Sequence, residues 1–290
     1  MQKVILITTS ELEENGRIRQ EARKLGIDLK VVDFRCFEYS ILDSKLKIAN
    51  LDLSLDDIVV MRGIFRSQKP ISAHIEALRK KGLKVFDNSF LEHKFSINKI
   101  TDLIKLAHAD IVVPDSFHLH EFHKYYEAAG KLGYPMILKL TRTGKGAGVY
   151  KIEDEAELKT FVRELESREV EAKTYLLQKF IDYQYDLRIL IIGGNVFCMR
   201  RIPKEGEFRA NFSLGGSVEL FDLDDDGKKL ARRAMEAVGL AIAGVDMLID
   251  KTGKRYILEV NHTPGMLGME EATGENITRM YLEYVIGNAK

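Results

Sequence analysis

Two cysteines, Cys36 and Cys198, are too few for a disulfide framework and form no CxxC pair. Both read as packing residues of a protein in a reducing compartment, so a cytoplasmic setting is expected. Net charge is also lacking: 44 basic residues balance 44 acidic ones. That excludes a global field that would recruit nucleic acid or an anionic membrane. No apolar run reaches the length of a membrane span, and the start Met1-Gln2-Lys3 precedes too short an apolar stretch for a signal peptide. The seven histidines form no HExxH, and neither a Ser/His/Asp nor a Cys/His constellation is visible. Gly16 and Gly26 make no GxGxxG, GxxxxGK[ST] is absent, and there is no internal repeat or low-complexity segment.

What remains is a chain of 290 residues with 45% hydrophobic content, ample for a sizeable core. Strand patterns at 4–8, 29–33, 58–61 and 85–87 alternate with helical ones at 10–25 and 71–81. That alternation predicts a parallel sheet and an N-terminal α/β lobe over residues 1–90. Arg62-Gly63 closes its third strand, at the end where open α/β sheets bind ligands, although by itself the pair describes a plain polar strand exit. Residues 91–290 read as a second unit, with parts at about 110–178 and 179–290. Helices are expected at 91–109, 119–132, 153–169, 230–240 and 275–286. Lys99 falls off the apolar stripe of the first of these, which by itself describes a solvated surface lysine.

Residues 134–150 place Lys139 on a strand, followed by a loop with Gly144, Lys145, Gly146 and Gly148 and then another strand. Glycines let backbone N–H groups approach an anion and lysines supply charge, so the loop reads either as a phosphate clasp or as a plain Gly/Lys hairpin. Further on, alternation places Asp186 and Arg188 on one strand face. Arg188, Arg200 or Arg201, and Arg209 lie on adjacent strands or connections, where guanidinium forks either make ordinary surface ion pairs or gather round a polyphosphate. Which of Arg200 and Arg201 faces inward depends on strand register.

The most telling stretch is 243–250 followed by 255–265: two strands joined by Lys251-Thr252-Gly253-Lys254. Glu259 and Asn261 share a face, and an antiparallel partner brings Asp246 to it. Two carboxylates and an amide amid apolar strands are costly unless a cation sits among them, and hard oxygens suit Mg²⁺ between protein and phosphates, with Mn²⁺ as a substitute.

With these parts in order the chain resembles the ATP-grasp superfamily. Within it, the chain is similar to the ribosomal-protein-modification type of glutamate ligase, with the lysine-biosynthesis amino-group-carrier ligases close by. The resemblance is carried by Asp186-Leu187-Arg188, the run from Glu205 to Asn211, Gly215-Gly216, Ala243-Gly244-Val245-Asp246 and Glu259-Val260-Asn261. It implies a nucleotide held between two α+β lobes behind an N-terminal α/β lobe. Lys99 and Lys139 would reach the phosphates under the loop of Gly144, Gly146 and Gly148. Gln178, Lys179 and Phe180 would line the adenine hinge, where Lys179 replaces a frequent Glu. Asp186 would hold the ribose, Arg209 and Asn211 the phosphate end, and Asp246, Glu259 and Asn261 the Mg²⁺. Asn261-His262-Thr263 is similar to the carrier ligases, whereas Pro264-Gly265-Met266 and the run from Glu270 to Gly274 look like the glutamate ligases.

The implied activity is ATP- and Mg²⁺-dependent joining of a carboxylate to an amine through an acyl phosphate, adding glutamate or a similar amino acid to a peptide, protein or small molecule. Such ligases are often dimers or tetramers. A non-catalytic module that closes round ATP to bind a partner is the rival reading. Arg62, Arg201 and His262 are the candidate acceptor contacts, and a basic face built from Arg62, Arg188, Arg200 and Arg201 predicts an anionic acceptor.

Overall fold

The computed structural model describes residues 3–8, 13–34, 39–43, 45–48, 53–64, 68–88, 98–141, 148–204 and 217–290. Its N-terminal part holds β1 (Lys3–Thr8), α1 (Glu13–Lys24), β2 (Asp28–Asp33), the hairpin β3 (Tyr39–Leu42) and β4 (Lys45–Ile48), β5 (Ile58–Met61), α2 (Gln68–Lys80) and β6 (Lys84–Phe86). Four of these strands form a parallel sheet in the order β2-β1-β5-β6. The unbroken aliphatic runs of β1 and β5 fit burial on both faces. Ile5, Ile7, Val59 and Met61 pack with Ile75 and Leu78 of α2, while Val4, Leu6, Ile58 and Val60 pack with Ile18 and Ala22 of α1.

The chain then runs through α3 (Lys99–His108) into a four-stranded antiparallel sheet. Its strands are β7 (Ser116–His118), β8 (Met136–Leu140), β9 (Val149–Ile152) and β10 (Tyr175–Lys179), in the order β7-β10-β8-β9. Helices α4 (His123–Leu132) and α5 (Glu155–Ser167) cover one face, where Leu138 and Leu177 meet Tyr125, Leu158 and Val162. Alternation leaves Lys139 and Gln178 on the other face.

The C-terminal sheet, ordered β13-β12-β11-β14-β15, is made of β11 (Tyr183–Ile192), β12 (Asn195–Ile202), β13 (Ser217–Leu220), β14 (Ile242–Asp250) and β15 (Arg255–Asn261). Its Leu187, Ile189, Val245 and Met247 pack under α6 (Asp225–Val238) and Leu106 of α3. Asp224 caps α6 by accepting from the Gly227 amide at 2.8 Å, and Gly239 ends it in the left-handed region. The opposite face contributes Leu190, Ile192 and Ile242 to the core that contains Val4 and Leu6, together with α7 (Leu267–Thr273) and α8 (Ile277–Gly287). The N-terminal sheet therefore shares a core with the C-terminal one. The Asn88 side chain pins that junction: its amide nitrogen donates to the carbonyls of Ile242 and His262, and its oxygen accepts from the amides of Ala241 and Ile242. All four hydrogen-bonding positions of a buried amide are thus filled. Among the described residues no helix is long and apolar enough to cross a membrane.

Candidate active site

The site grows from an irregularity in the β14–β15 ladder. Asp246 pairs with Glu259 and Gly244 with Asn261, yet Met247 pairs with Ile257, so Leu258 is an extra residue in a β-bulge. The bulge lets Ile257 and Val260, three positions apart, both enter the α6-side core. Glu259 and Asn261 therefore face the opposite side together with Asp246. The Asn261 amide nitrogen donates to Gly244 O at 3.2 Å and lies 3.5 Å from Asp246 Oδ2, which leaves its oxygen as the outward donor atom. Among the described residues no three His, Cys, Asp or Glu gather as a metal set. Two carboxylates and an amide oxygen nonetheless fit a hard divalent cation whose remaining ligands come from phosphates.

Two arginines fix Asp246. Arg188, directly opposite it on β11, donates from Nη2 to Oδ2 at 3.2 Å, and its Nε lies 2.7 Å from Oδ1. Arg201 reaches the same Oδ1 at 3.4 Å and donates from Nε to Asp186 Oδ1 at 2.9 Å. Burial works to lower the Arg201 guanidinium, but the charges of Asp246 and Asp186 outweigh it and raise its pKa above the usual range. Burial raises the Asp186 carboxyl, against the pull of Arg201. Two N–H groups of the permanently charged Arg201, on Nε and Nη2, donate to the one oxygen Oδ1 of Asp186, and this charge-assisted pairing favours the ionised pair. Gly244 makes room for this arrangement, because a Cβ there would lie 2.8 Å from both Arg188 Nη1 and the Pro264 side chain.

Lysines complete the site. Lys99 opens α3, behind the cap in which Asn98 accepts from the Thr101 amide, and its Nζ lies 2.5 Å from Glu259 Oε2. Burial works to raise the Glu259 carboxyl, but Lys99, then Lys139 and Arg188, hold it below the usual range. Lys139 donates to Gln178 Oε1 at 2.6 Å, and Gln178 donates in turn to Ser116 Oγ at 3.0 Å. Burial and the charge of Lys99 lower the Lys139 ammonium to about 8, although Glu259, Asp246 and Asp186 favour its charge. Four cations, Lys99, Lys139, Arg188 and Arg201, are thus gathered with the three carboxylates of Asp186, Asp246 and Glu259.

Several expected site residues lie elsewhere. Register settles the arginine pair: Arg201 stands opposite Asp186, whereas Arg200 stands opposite Leu187 and turns away to Glu219 at 3.0 Å and the Tyr185 ring. Arg200, expected among the arginines gathered round a polyphosphate, therefore lies on the other face of the sheet. Arg62 is only 4% exposed, donating to Pro264 O at 2.9 Å with its guanidinium 5.0 Å from the Tyr281 ring centroid, so it forms no open acceptor face. His262 is also turned inward, its Nε2 3.1 Å from Asp102 Oδ2. Gly148 has φ +70°, and a side chain there would collide with Leu140, so its role is to turn the backbone into β9. Lys179 points outward while its backbone amide bonds Asp115 O at 2.9 Å, and Phe180 beside it lies under Lys151. Cys198 is packed, with burial raising its thiol to about 12. Gly144, Gly146, Arg209, Asn211 and Cys36 lie outside the described residues. Sequence reasoning missed Asn88, Asp102 and Ser116; only Asp102 left a signal, a carboxylate three residues after Lys99 on a helical pattern.

A family model described as the RimK-like ATP-grasp domain matches residues 96–285, well over half the chain. The chain belongs to that family. Across its full length it is 28% identical to a probable alpha-L-glutamate ligase of Halorhodospira halophila, covering 96% of that protein. It is 26% identical to a protein of the same name from Vibrio vulnificus, covering 97% of it. The fold is similar to that of the ATP-grasp ligase PsnB in complex with a phosphomimetic variant of minimal precursor, Mg and ADP: TM-score 0.77, 17% identity, covering 99% of this chain and 98% of that one. It is also similar to D-alanyl-alanine synthetase A from Vibrio cholerae, with TM-score 0.69, 17% identity, and 99% and 98% coverage. This RimK-like protein is an ATP-grasp ligase, an enzyme that forms a C–N bond at the expense of ATP. The rival reading as a non-catalytic module is set aside by that membership.

Proposed function

We propose that this ligase, acting in the cytoplasm, adds glutamate or a similar amino acid to the carboxylate of a peptide, protein or small-molecule acceptor, with ATP and Mg²⁺ and with Mn²⁺ as a substitute ion. The observation that carries it is the pairing of Asp246 with Glu259, beside Asn261 and between Lys99 and Lys139. The names of the glutamate-ligase relatives support the amino acid. PsnB bound to precursor peptide PsnA2, and a macrocyclase, MdnC, bound to precursor peptide MdnA, support a peptide acceptor, against which small carboxylates are tested.

A carboxylate is a poor acceptor for an amine, so it is first phosphorylated by ATP; the amine then attacks the acyl phosphate, giving an amide, ADP and phosphate. Bound at the site, Mg²⁺ would supply neutralisation of the phosphate charge. The protein supplies the frame. Asp246, Glu259 and Asn261 would hold the ion, and Arg188 and Arg201 fix the direction of Asp246 before anything binds. Lys99 and Lys139 place positive charge where phosphate oxygens collect. No side-chain nucleophile is required.

The test measures ADP release and acceptor mass with a panel of peptide and small carboxylates crossed with amino acids. Glutamate-dependent ADP release with a matching glutamyl mass increase is expected. ADP release indifferent to every amine, or no release with any pair, would overturn the reading.

A further inference from the structure

Lys99 carries its charge at the first residue of α3, so its contact with Glu259 is only as well defined as the placement of that helix turn. Something must hold the turn. Asp102, also in the first turn and three residues on, lies on the same side of the helix as Lys99. Its side chain is 8% exposed and meets that of His262, 3% exposed, at 3.1 Å. A carboxylate only accepts, so His262 Nε2–H donates. The other carboxylate oxygen of Asp102 has no hydrogen-bond partner among the described residues, which leaves the histidine as the side chain that holds this buried group.

His262 is fixed from a second direction. It directly follows Asn261, the last residue of β15, and its carbonyl accepts from Asn88 at 2.7 Å. One residue thus joins the junction with the N-terminal sheet, the oxygen-bearing end of β15 and the helix turn that presents Lys99. Through Asp102, the ring of His262 acts on α3, the helix that carries Lys99.

We propose that His262 and Asp102 form a positioning pair that sets Lys99 against Glu259 and so sets the affinity of the site for nucleotide phosphates. The proposal rests on the ligase reading for its ligand, a nucleoside polyphosphate. A role in general stability would lower the melting temperature and weaken every ligand contact alike. A positioning role must vanish when Lys99 is absent.

The experiment is a double-mutant cycle read by calorimetry on the whole chain, with ADP in EDTA to report the lysine without metal, and with ADP and Mg²⁺ in parallel. His262→Phe keeps ring volume and removes the donor; it is expected to weaken metal-free ADP binding about tenfold. His262→Gln, whose amide nitrogen can replace Nε2, should recover affinity to within about threefold of wild type. In a Lys99→Met background, His262→Phe should cost less than about twofold. Asp102→Ala carries the same cycle from the other partner if His262→Phe does not melt cooperatively. Tenfold weakening that persists without Lys99 would overturn the pair as a positioning device. So would unchanged affinity in both variants while Lys99→Met alone weakens binding. Failure of the wild type to bind ADP at all would instead sink the ligase reading, and this proposal with it.

Discussion

The two sheets that bring charge to the site act as two walls and hold that charge in different ways. On the antiparallel middle sheet, Lys139 donates to a neutral amide, Gln178, and its ammonium is depressed to about 8. On the C-terminal sheet, Asp186, Asp246, Arg188 and Arg201 are locked in a buried mesh of ion pairs, and Glu259 at its border is paired with Lys99. The first wall carries a desolvated charge that an incoming anion would relieve. The second has compensated its charges internally, so that its oxygens are fixed before a ligand arrives. Desolvated charge favours binding and fixed oxygens favour chemistry, which predicts that mutations on the two walls will separate affinity from turnover.

The largest effect should come from the second wall. Glu259→Gln removes one formal charge from the oxygen set and the partner of Lys99 while conserving shape. ADP formation should fall roughly a thousandfold, with the melting temperature nearly unchanged. Steady-state ADP release at saturating Mg²⁺ checks this. Near-normal turnover would mean that Glu259 holds no essential ion.

Much of this wall was legible in the sequence because strand alternation and a carboxylate-rich hairpin leave a pattern with period two. Asp246, Glu259 and Asn261 stand together as alternation predicts. Alternation could not reveal the bulge at Leu258, because it depends on pairing between strands. The choice between Arg200 and Arg201 was hidden for the same reason. Arg62 and His262 misled for another: a polar residue at a strand exit looks the same in sequence whether it faces ligand or is buried against Pro264 and Tyr281, or against Asp102. Tertiary partners decide that, and they lie 160 or more residues away. The parallel N-terminal sheet was readable from its aliphatic runs. The short helix α7 and the β3–β4 hairpin, with no strong periodicity, were not.

On the first wall, Lys139→Met should weaken ATP binding by about 10- to 100-fold, equivalent to about 1.4–2.7 kcal/mol. Removing a desolvated ammonium should leave the melting temperature level or raise it, since Gln178 keeps its bond to Ser116. Equal calorimetric affinities for the two proteins would show that Lys139 does not meet the phosphates.

A pH titration sharpens the same point with a smaller effect. The folded value of about 8 lies below the usual amine value of about 10.4, so between them the unfolded chain binds the extra proton. Stability of the ligand-free protein contributed by this group therefore rises as pH increases across that window. Nucleotide affinity runs the opposite way: it is full while the ammonium is charged, below about 8, and falls above, by up to about tenfold per unit. Lys139→Arg, which stays charged, should flatten the profile. A wild-type affinity constant from about pH 7 to about 9.5 would contradict the shift.

The smallest effect tests the register on which the second wall depends. Arg200 and Arg201 are adjacent, equally charged and on one strand, yet they face opposite sides of the sheet. The Arg200 side chain is 36% exposed against 50% for Glu219, so its ion pair is screened, and stacking over Tyr185 adds little at such a site. Arg200→Ala should cost less than about 1 kcal/mol of stability and change kcat/KM by less than about twofold. Arg201, 6% exposed and bound to both Asp186 and Asp246, has no such latitude: its truncation leaves two buried carboxylates without their shared cation. Comparing denaturant midpoints and kcat/KM for Arg200→Ala and Arg201→Ala reads the register directly, because a slip of one residue exchanges the two side chains. If Arg200→Ala were the damaging variant and Arg201→Ala the silent one, the β11–β12 pairing, and with it the locked wall, would have to be redrawn.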